Sequence, residues 1–195
     1  MLSQKSHPVQ SSDNRCSRHK LLVNTKTMNE TLTQRFDSLR SSLSSTVAGW
    51  IVYLFTTQNV PLSQSTASVT RDSLKKAINA FFINCSTTGQ LTEVELLYSA
   101  CIIQRVIRNQ LKGQTPSSRI ITQNNLGTLL LCSIIVTLKL LRDNPYTNSC
   151  WAKYLRIPLS DLNHSEVIML AHLNFNLNVQ FEEISQLYSI LALPC

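Results

Sequence analysis

Residues 126–142 read LGTLLLCSIIVTLKLLR, a run that is apolar on almost every face from Leu126 to Leu138 and is closed by Lys139 and Arg142. A helix that is apolar all round is either a membrane span or the buried centre of a bundle. A span needs about 20 consecutive apolar residues, and this run is shorter and broken by Gly127, Thr128, Ser133 and Thr137. The pattern therefore predicts a central helix over Ile121 to Arg142 in an all-helical domain, with no membrane span.

Working outward, the flanking segments supply neighbours for such a helix. Downstream, Asn148 to about Arg156 reads as a short helix, Pro158 interrupts it, and Ser160 is read as the cap of a helix running to His172. Leu162, Met169, Leu170 and Leu173 share one stripe of that helix, and Asn174 follows as its stop. A last helix begins near Phe181 and carries Ile184, Leu187, Tyr188 and Leu191. Upstream, Thr92 and Glu95 have the three-residue spacing of a capping box, in which hydroxyl and carboxylate satisfy each other's backbone N–H groups. They open a helix to about Asn109, and Gly113 to Ser118 is a connector. Arg71 to Asn84 is amphipathic, with Leu74, Ile78, Phe81 and Phe82 on one side and Lys75 and Lys76 on the other. The Pro- and Ser-containing stretch Asn59 to Thr70 reads as a loop. From Thr46, Val47, Trp50, Ile51, Leu54 and Phe55 recur at helical spacing and mark an extra N-terminal helix. Residues 1–45 are polar and poor in large apolar side chains, too little to offset ordering entropy, and are expected to be a disordered, Ser/Thr-rich basic tail. The expected organisation is that tail followed by one domain over 46–195.

Composition narrows the function classes. The chain of 195 residues has a formal net charge of +7, but seven basic and three acidic residues lie in 1–40, leaving eleven basic and eight acidic residues spread over the rest. That spread describes a solvated surface better than the clustered cations that phosphate binding requires. Six cysteines stand without a C-x-x-C pair, and no cleavable secretory signal opens the chain, which points to a reduced, metal-free protein inside the cell, in cytoplasm or nucleus. Leu2 follows the initiator Met where N-myristoylation requires glycine, so no lipid anchor is read. Gly-rich phosphate loops and the H-E-x-x-H and G-x-S-x-G patterns are absent. His164 and His172 lack neighbouring ligands that would complete a metal site. The expectation is a protein that is not an enzyme, holds no cofactor or metal and takes no small-molecule substrate.

One spacing pattern points further. Lys139, Asp143, Asn148 and Trp151-Ala152 form K-x-x-x-D-x-x-x-x-N-x-x-W-A, followed by Leu162-Asn163-x-x-Glu166, Leu170 and Phe175. This ordering resembles the cyclin box over roughly residues 46–190, and most closely the single-box cyclins of the Pho type and the cyclin Y group. The resemblance implies a five-helix bundle around the Ile121 to Arg142 helix, with Lys139 and Glu166 side by side. It also implies a cyclin-dependent protein kinase as partner, held by Lys139 and Glu166 through main-chain groups beside the kinase's mobile helix, with Leu140, Leu170 and Phe175 as the apolar floor. An ammonium that donates and a carboxylate that accepts suit that task. Two departures stand out. Gln104 precedes Arg105 where many relatives carry Asp, so their internal Asp–Arg ion pair is expected to be missing or replaced by an amide contact. The second helical bundle of mitotic cyclins is expected to be absent. Two other readings stay open: a cyclin-fold module that grips DNA, and a helical adaptor that activates no kinase.

Overall fold

In the computed structural model the described residues are 40–57, 63–84, 90–112 and 121–192. Among them the chain forms seven α-helices and no strand: α1 (40–57), α2 (Gln64–Asn84), α3 (Glu93–Lys112), α4 (Leu126–Leu141), α5 (Asn148–Leu155), α6 (Leu159–His172) and α7 (Phe181–Ala192). A single 3-10 turn, Gln123–Asn125, leads into α4. The all-α expectation holds among the described residues: α2 to α6 form five helices with α4 at their centre, α1 lies ahead of them in the chain, and α7 follows.

The reason α4 is central is visible in its side chains. Ten of its residues are buried, including the polar Ser133 and Thr137, and α2, α3 and α6 pack around it. The stretch Gln123–Leu141 is long and apolar enough to cross a bilayer by length and composition, yet it is the helix that the other elements enclose. Its hydroxyls are satisfied internally: Ser133 Oγ donates to Leu130 O at 2.8 Å, and Ser99 Oγ of α3 donates to Glu95 O at 2.7 Å and meets Thr137 Oγ1 at 3.1 Å. Such pairing lets polar atoms sit in a core without the penalty of an unmade hydrogen bond. Apolar residues from all seven helices make one continuous core, with Val47, Ile51 and Phe55 from α1, Ile78 and Phe81 from α2, Ile103 and Ile107 from α3, and Leu162 and Met169 from α6.

Trp151 fixes α5. It is buried and stacks at 5.5 Å on Phe81 of α2, with Tyr146 and Tyr154 edge-on to it. Gln110 near the end of α3 closes the next connection: its Oε1 accepts from Ile121 N at 2.7 Å and its Nε2 donates to Ile121 O at 3.3 Å. The connector read at Gly113 to Ser118 lies outside the described residues.

Several boundaries differ from the sequence reading. Helix α1 is already formed at Arg40, ahead of the expected Thr46, because Leu43 packs on the core and Ser44 is buried with its hydroxyl bonded back to Ser41 O. Residues 1–39, the rest of the expected disordered tail, lie outside the described residues. Helix α2 starts at Gln64 and not at Arg71, so half of the expected loop is helical. Ser63 supplies the cap, its Oγ accepting from Thr66 N at 3.2 Å, and Ala67 reaches the core. The Ser and Thr residues that signalled a loop instead bond their hydroxyls up the helix, as Thr70 Oγ1 does to Thr66 O. Ser160 is not the cap of α6; it lies in the first turn and meets Asp161, while Pro158 occupies the cap position.

Candidate functional site

The last turn of α4 carries Lys139, and the middle of α6 carries Glu166. On α6 the buried residues Leu162, Met169 and Leu173 recur at helical spacing, and Glu166, one turn beyond Leu162, is carried at the edge of this buried stripe. Lys139 Nζ stands 2.7 Å from Glu166 Oε1 and 2.9 Å from Oε2, with side-chain exposures of 28 % and 12 %. The two side chains that the family resemblance implied to lie side by side do so, 27 positions apart.

The pair is built into a larger polar cluster. Asn148, the first residue of α5, donates from Nδ2 to Glu166 Oε2 in a short contact and to Asn163 Oδ1 at 2.8 Å. Asn163 precedes Glu166 by three residues, which places both on one face of α6. An ammonium has three donors and an ionised carboxylate about four acceptor sites. The contacts within the cluster use two of the first and three of the second, so each side chain keeps capacity for one more hydrogen bond. What the arrangement offers is one N–H donor and one carboxylate acceptor within a few ångströms, suited to a carbonyl and an amide of another chain.

Apolar side chains lie beside it. Leu170 follows Glu166 by one helical turn and is partly buried against the core, and Leu140, next to Lys139, is exposed. Helix α6 ends in a Schellman arrangement, with Asn174 N donating to Ala171 O at 3.0 Å and Phe175 N to Leu170 O at 2.8 Å. Asn174 takes the left-handed conformation that such an ending requires, at φ 51°, which is the stop read from the sequence. Phe175 is also left-handed, at φ 56°, although its ring is 67 % exposed. That conformation costs an L-residue about 1–2 kcal/mol, and the exposed ring recovers little of it by burial. Phe175→Gly, which trades the strain for an unfolded-state entropy cost of roughly 0.5–1 kcal/mol, is therefore expected to leave the melting temperature unchanged or raise it by a few degrees. Thermal unfolding followed by circular dichroism reads this, and a fall of several degrees would show that the ring packs more than its exposure indicates.

Ion pairs farther out tie α3 to the end of α4 and to α7. Arg142, just past α4, donates from Nε to Glu95 Oε1 at 2.7 Å, and from its terminal nitrogen to Glu95 Oε2 at 2.8 Å and Gln90 O at 3.1 Å. Glu95 also closes the expected capping box, accepting from Thr92 N at 2.7 Å while Thr92 Oγ1 accepts from Glu95 N at 3.2 Å. Burial works to raise the Glu95 carboxyl, but the hydrogen bonds from Arg142 and Thr92 and the Arg142 charge outweigh it and hold it below its ordinary value. Arg105 finds a carboxylate on α7: it donates from Nε to Glu183 Oε1 at 3.1 Å, makes a short second bond to Oε2, and donates to Asn178 O at 2.6 Å. Those Arg105 bonds lower the Glu183 carboxyl. Where the internal Asp–Arg pair was expected to be missing or replaced by an amide contact, Arg105 makes an ion pair to Glu183 of α7. Tyr98 adds a second tie, donating to Leu177 O at 2.7 Å and accepting from Val179 N at 3.3 Å.

Cys101 and Cys132 are buried in the core. Burial, with the Glu166 charge adding to it, pushes Cys132 up to about 12, and burial pushes Cys101 up to about 11, so neither is a thiolate nucleophile. Among the described residues no three His, Cys, Asp or Glu side chains converge as a metal site would.

Of the residues singled out in the sequence, Lys139 and Glu166 meet, Leu170 lies on the Glu166 face, and Phe175 is tied to Leu170 through the backbone. Asn148 and Asn163 were quoted there as spacing markers only; their part in holding Glu166 needed the approach of α5 to α6. In comparisons with known proteins, the family model described as Cyclin matches residues 19–177. No curated protein and no solved structure matches the chain.

Proposed function

The chain belongs to the cyclin family, and from that premise we propose that it is the regulatory subunit of a cyclin-dependent protein kinase. A cyclin-like regulatory role follows from the family; the kinase partnership, and a placing beside the single-box Pho-type and cyclin Y groups inside the cell, are our reading. The observation that carries it is the Lys139–Glu166 pair, drawn together across α4 and α6 with one donor and one acceptor to spare.

The mechanism is a shift of population. A kinase with two positions of its mobile helix is biased toward the one that a partner contacts better, by no more than the difference in affinity. Lys139 donates to a carbonyl and Glu166 accepts from an amide at that helix in its inward position, while Leu140, Leu170 and Phe175 cover its apolar side. Catalysis stays with the kinase, whose own Lys–Glu ion pair is completed when the helix is inward.

The test is capture from cell extract with the immobilised chain, with mass spectrometry as the readout, followed by peptide phosphorylation with the purified kinase. The variant Lys139→Ala with Glu166→Ala is expected to lose binding by about 100-fold or more, since removing hydrogen-bonded interfacial charges costs roughly 2–5 kcal/mol or more, with its helical signal unchanged. Kinase retained at full strength by the folded double variant, or capture of duplex DNA with steep salt dependence and no kinase, rejects the proposal.

A further inference from the structure

We propose that Asn148 is a positioning residue for the Glu166 carboxylate, holding it in the orientation that it presents to the kinase. The inference rests on reading Lys139 and Glu166 as the kinase contact. It concerns a residue of a different helix, α5, that is hydrogen-bonded to Glu166.

Three observations carry it. First, both hydrogens of the Asn148 amide are committed on α6: one to Glu166 Oε2 in a short contact, the other to Asn163 Oδ1 at 2.8 Å. A single planar group therefore bridges Asn163 and Glu166 on adjacent turns of α6 and holds the carboxylate at Oε2. Secondly, the orientation of that amide is determined by chemistry. Turning it over would aim its oxygen at a carboxylate and at the Asn163 oxygen, two acceptors that need donors. Thirdly, in the orientation observed Asn148 Oδ1 is buried without any hydrogen-bond partner. Burying an unpaired carbonyl destabilises a fold. An amide kept at that position in spite of its orphaned oxygen serves through its NH2 group, and the NH2 group serves Glu166.

The consequence is a division of labour. Lys139 is both a contact and a counter-charge, and its long stem leaves it rotationally loose. Asn148 has a short side chain rooted at the start of α5, and α5 is pinned by Trp151 packed on Phe81. The rigid holder of the carboxylate is thus the asparagine. Without it, Glu166 is free to follow Lys139 away from the partner, and the acceptor has to be ordered anew at each encounter.

The experiment is a double-mutant cycle in binding to the purified kinase recovered by the immobilised chain, with the kinase on a sensor surface so that weak association is still measured. Asn148→Ala is expected to weaken binding roughly tenfold, the scale of one hydrogen bond to a charged group. On the Glu166→Ala background the same change is expected to have no effect, because a residue that acts only through Glu166 has nothing left to position. Asn148→Asp, close to the native side chain in shape, is expected to bind more weakly than Asn148→Ala at neutral pH, since it sets a second carboxylate against Glu166. A purely structural role predicts the reverse order, with the isostere better tolerated, and equal losses on both backgrounds. Either of those results, or wild-type binding by Asn148→Ala while Glu166→Ala is weak, overturns this proposal and leaves the kinase reading standing. Wild-type binding by Glu166→Ala itself overturns both. Should Asn148→Asp fail to fold, as judged by helical circular dichroism, the alanine cycle decides alone.

Discussion

Arg142→Ala lowers the stability of the fold by about 3 kcal/mol, the lower end of the range for breaking a buried ion pair, and with it the melting temperature by on the order of 10 °C for a domain of this size. Glu95 is only 7 % exposed, and three of its contacts come from two residues, Arg142 and Thr92. With Arg142 gone, a carboxylate whose burial opposes its charge keeps only the hydrogen bonds from Thr92. The figure sits at the lower end because the Arg142 side chain is one-fifth exposed and water enters the space that it leaves. The pH dependence follows from the same group. In the wild type the folded carboxyl lies below its unfolded value of 4.5, so its contribution is fully present above that pH and is lost as pH falls through the folded value. Glu183, lowered by Arg105, acts with the same sign. In the Arg142→Ala protein the desolvation of Glu95 is opposed only by Thr92, so its share of the acid-side slope shrinks. Urea unfolding at pH 7 and at pH 4 measures both effects, and an unchanged midpoint at pH 7 would show that the pair adds nothing to the fold.

Ile134→Ala gives a loss of comparable size for a different reason. Ile134 is fully buried at the middle of α4, and removing its branched side chain costs about 2–5 kcal/mol, through lost transfer free energy and the cavity left behind. The position within that range depends on how far neighbours collapse into the void. Here α2, α3 and α6 each lean on α4, and inward movement of one is resisted by the tie of α6 to α5 through Asn148, of α3 to α7 through Arg105, and of α3 to the segment before α7 through Tyr98. The upper half of the range is therefore expected, read as a lower urea midpoint with an unchanged slope. A loss under about 1 kcal/mol would mean a core that repacks freely, contrary to close-packed interiors.

The parts of this molecule that could be read from the sequence are those governed by nearby residues or by a strong period. The Thr92–Glu95 capping box, the apolar run of α4 and the buried stripe of α6 are each contained within a few turns of chain, and each is found where it was expected. The meeting of Lys139 with Glu166 was legible only through the family spacing, since nothing local to either residue announces the other. The first turns of α2 were missed because Ser and Thr favour loops in isolation; Ser63 as a cap and Ala67 on the core decide otherwise. The Arg105 partner was missed because Glu183 lies 78 positions away, and no property of Gln104 or its neighbours points to it. Asn148 belongs to the same class: its spacing was visible, while its hydrogen bonds depend on how Trp151 seats α5.

One consequence follows from the closeness of the Lys139 ammonium to the Glu166 carboxylate in the unbound chain. Each cancels most of the other's field within a Debye length of about 8 Å, so little attraction or repulsion from this pair reaches a partner still diffusing in solution. In the kinase complex proposed above, this pair therefore acts after collision, in how long the complex lasts, and adds little of its own to the ionic-strength dependence of encounter.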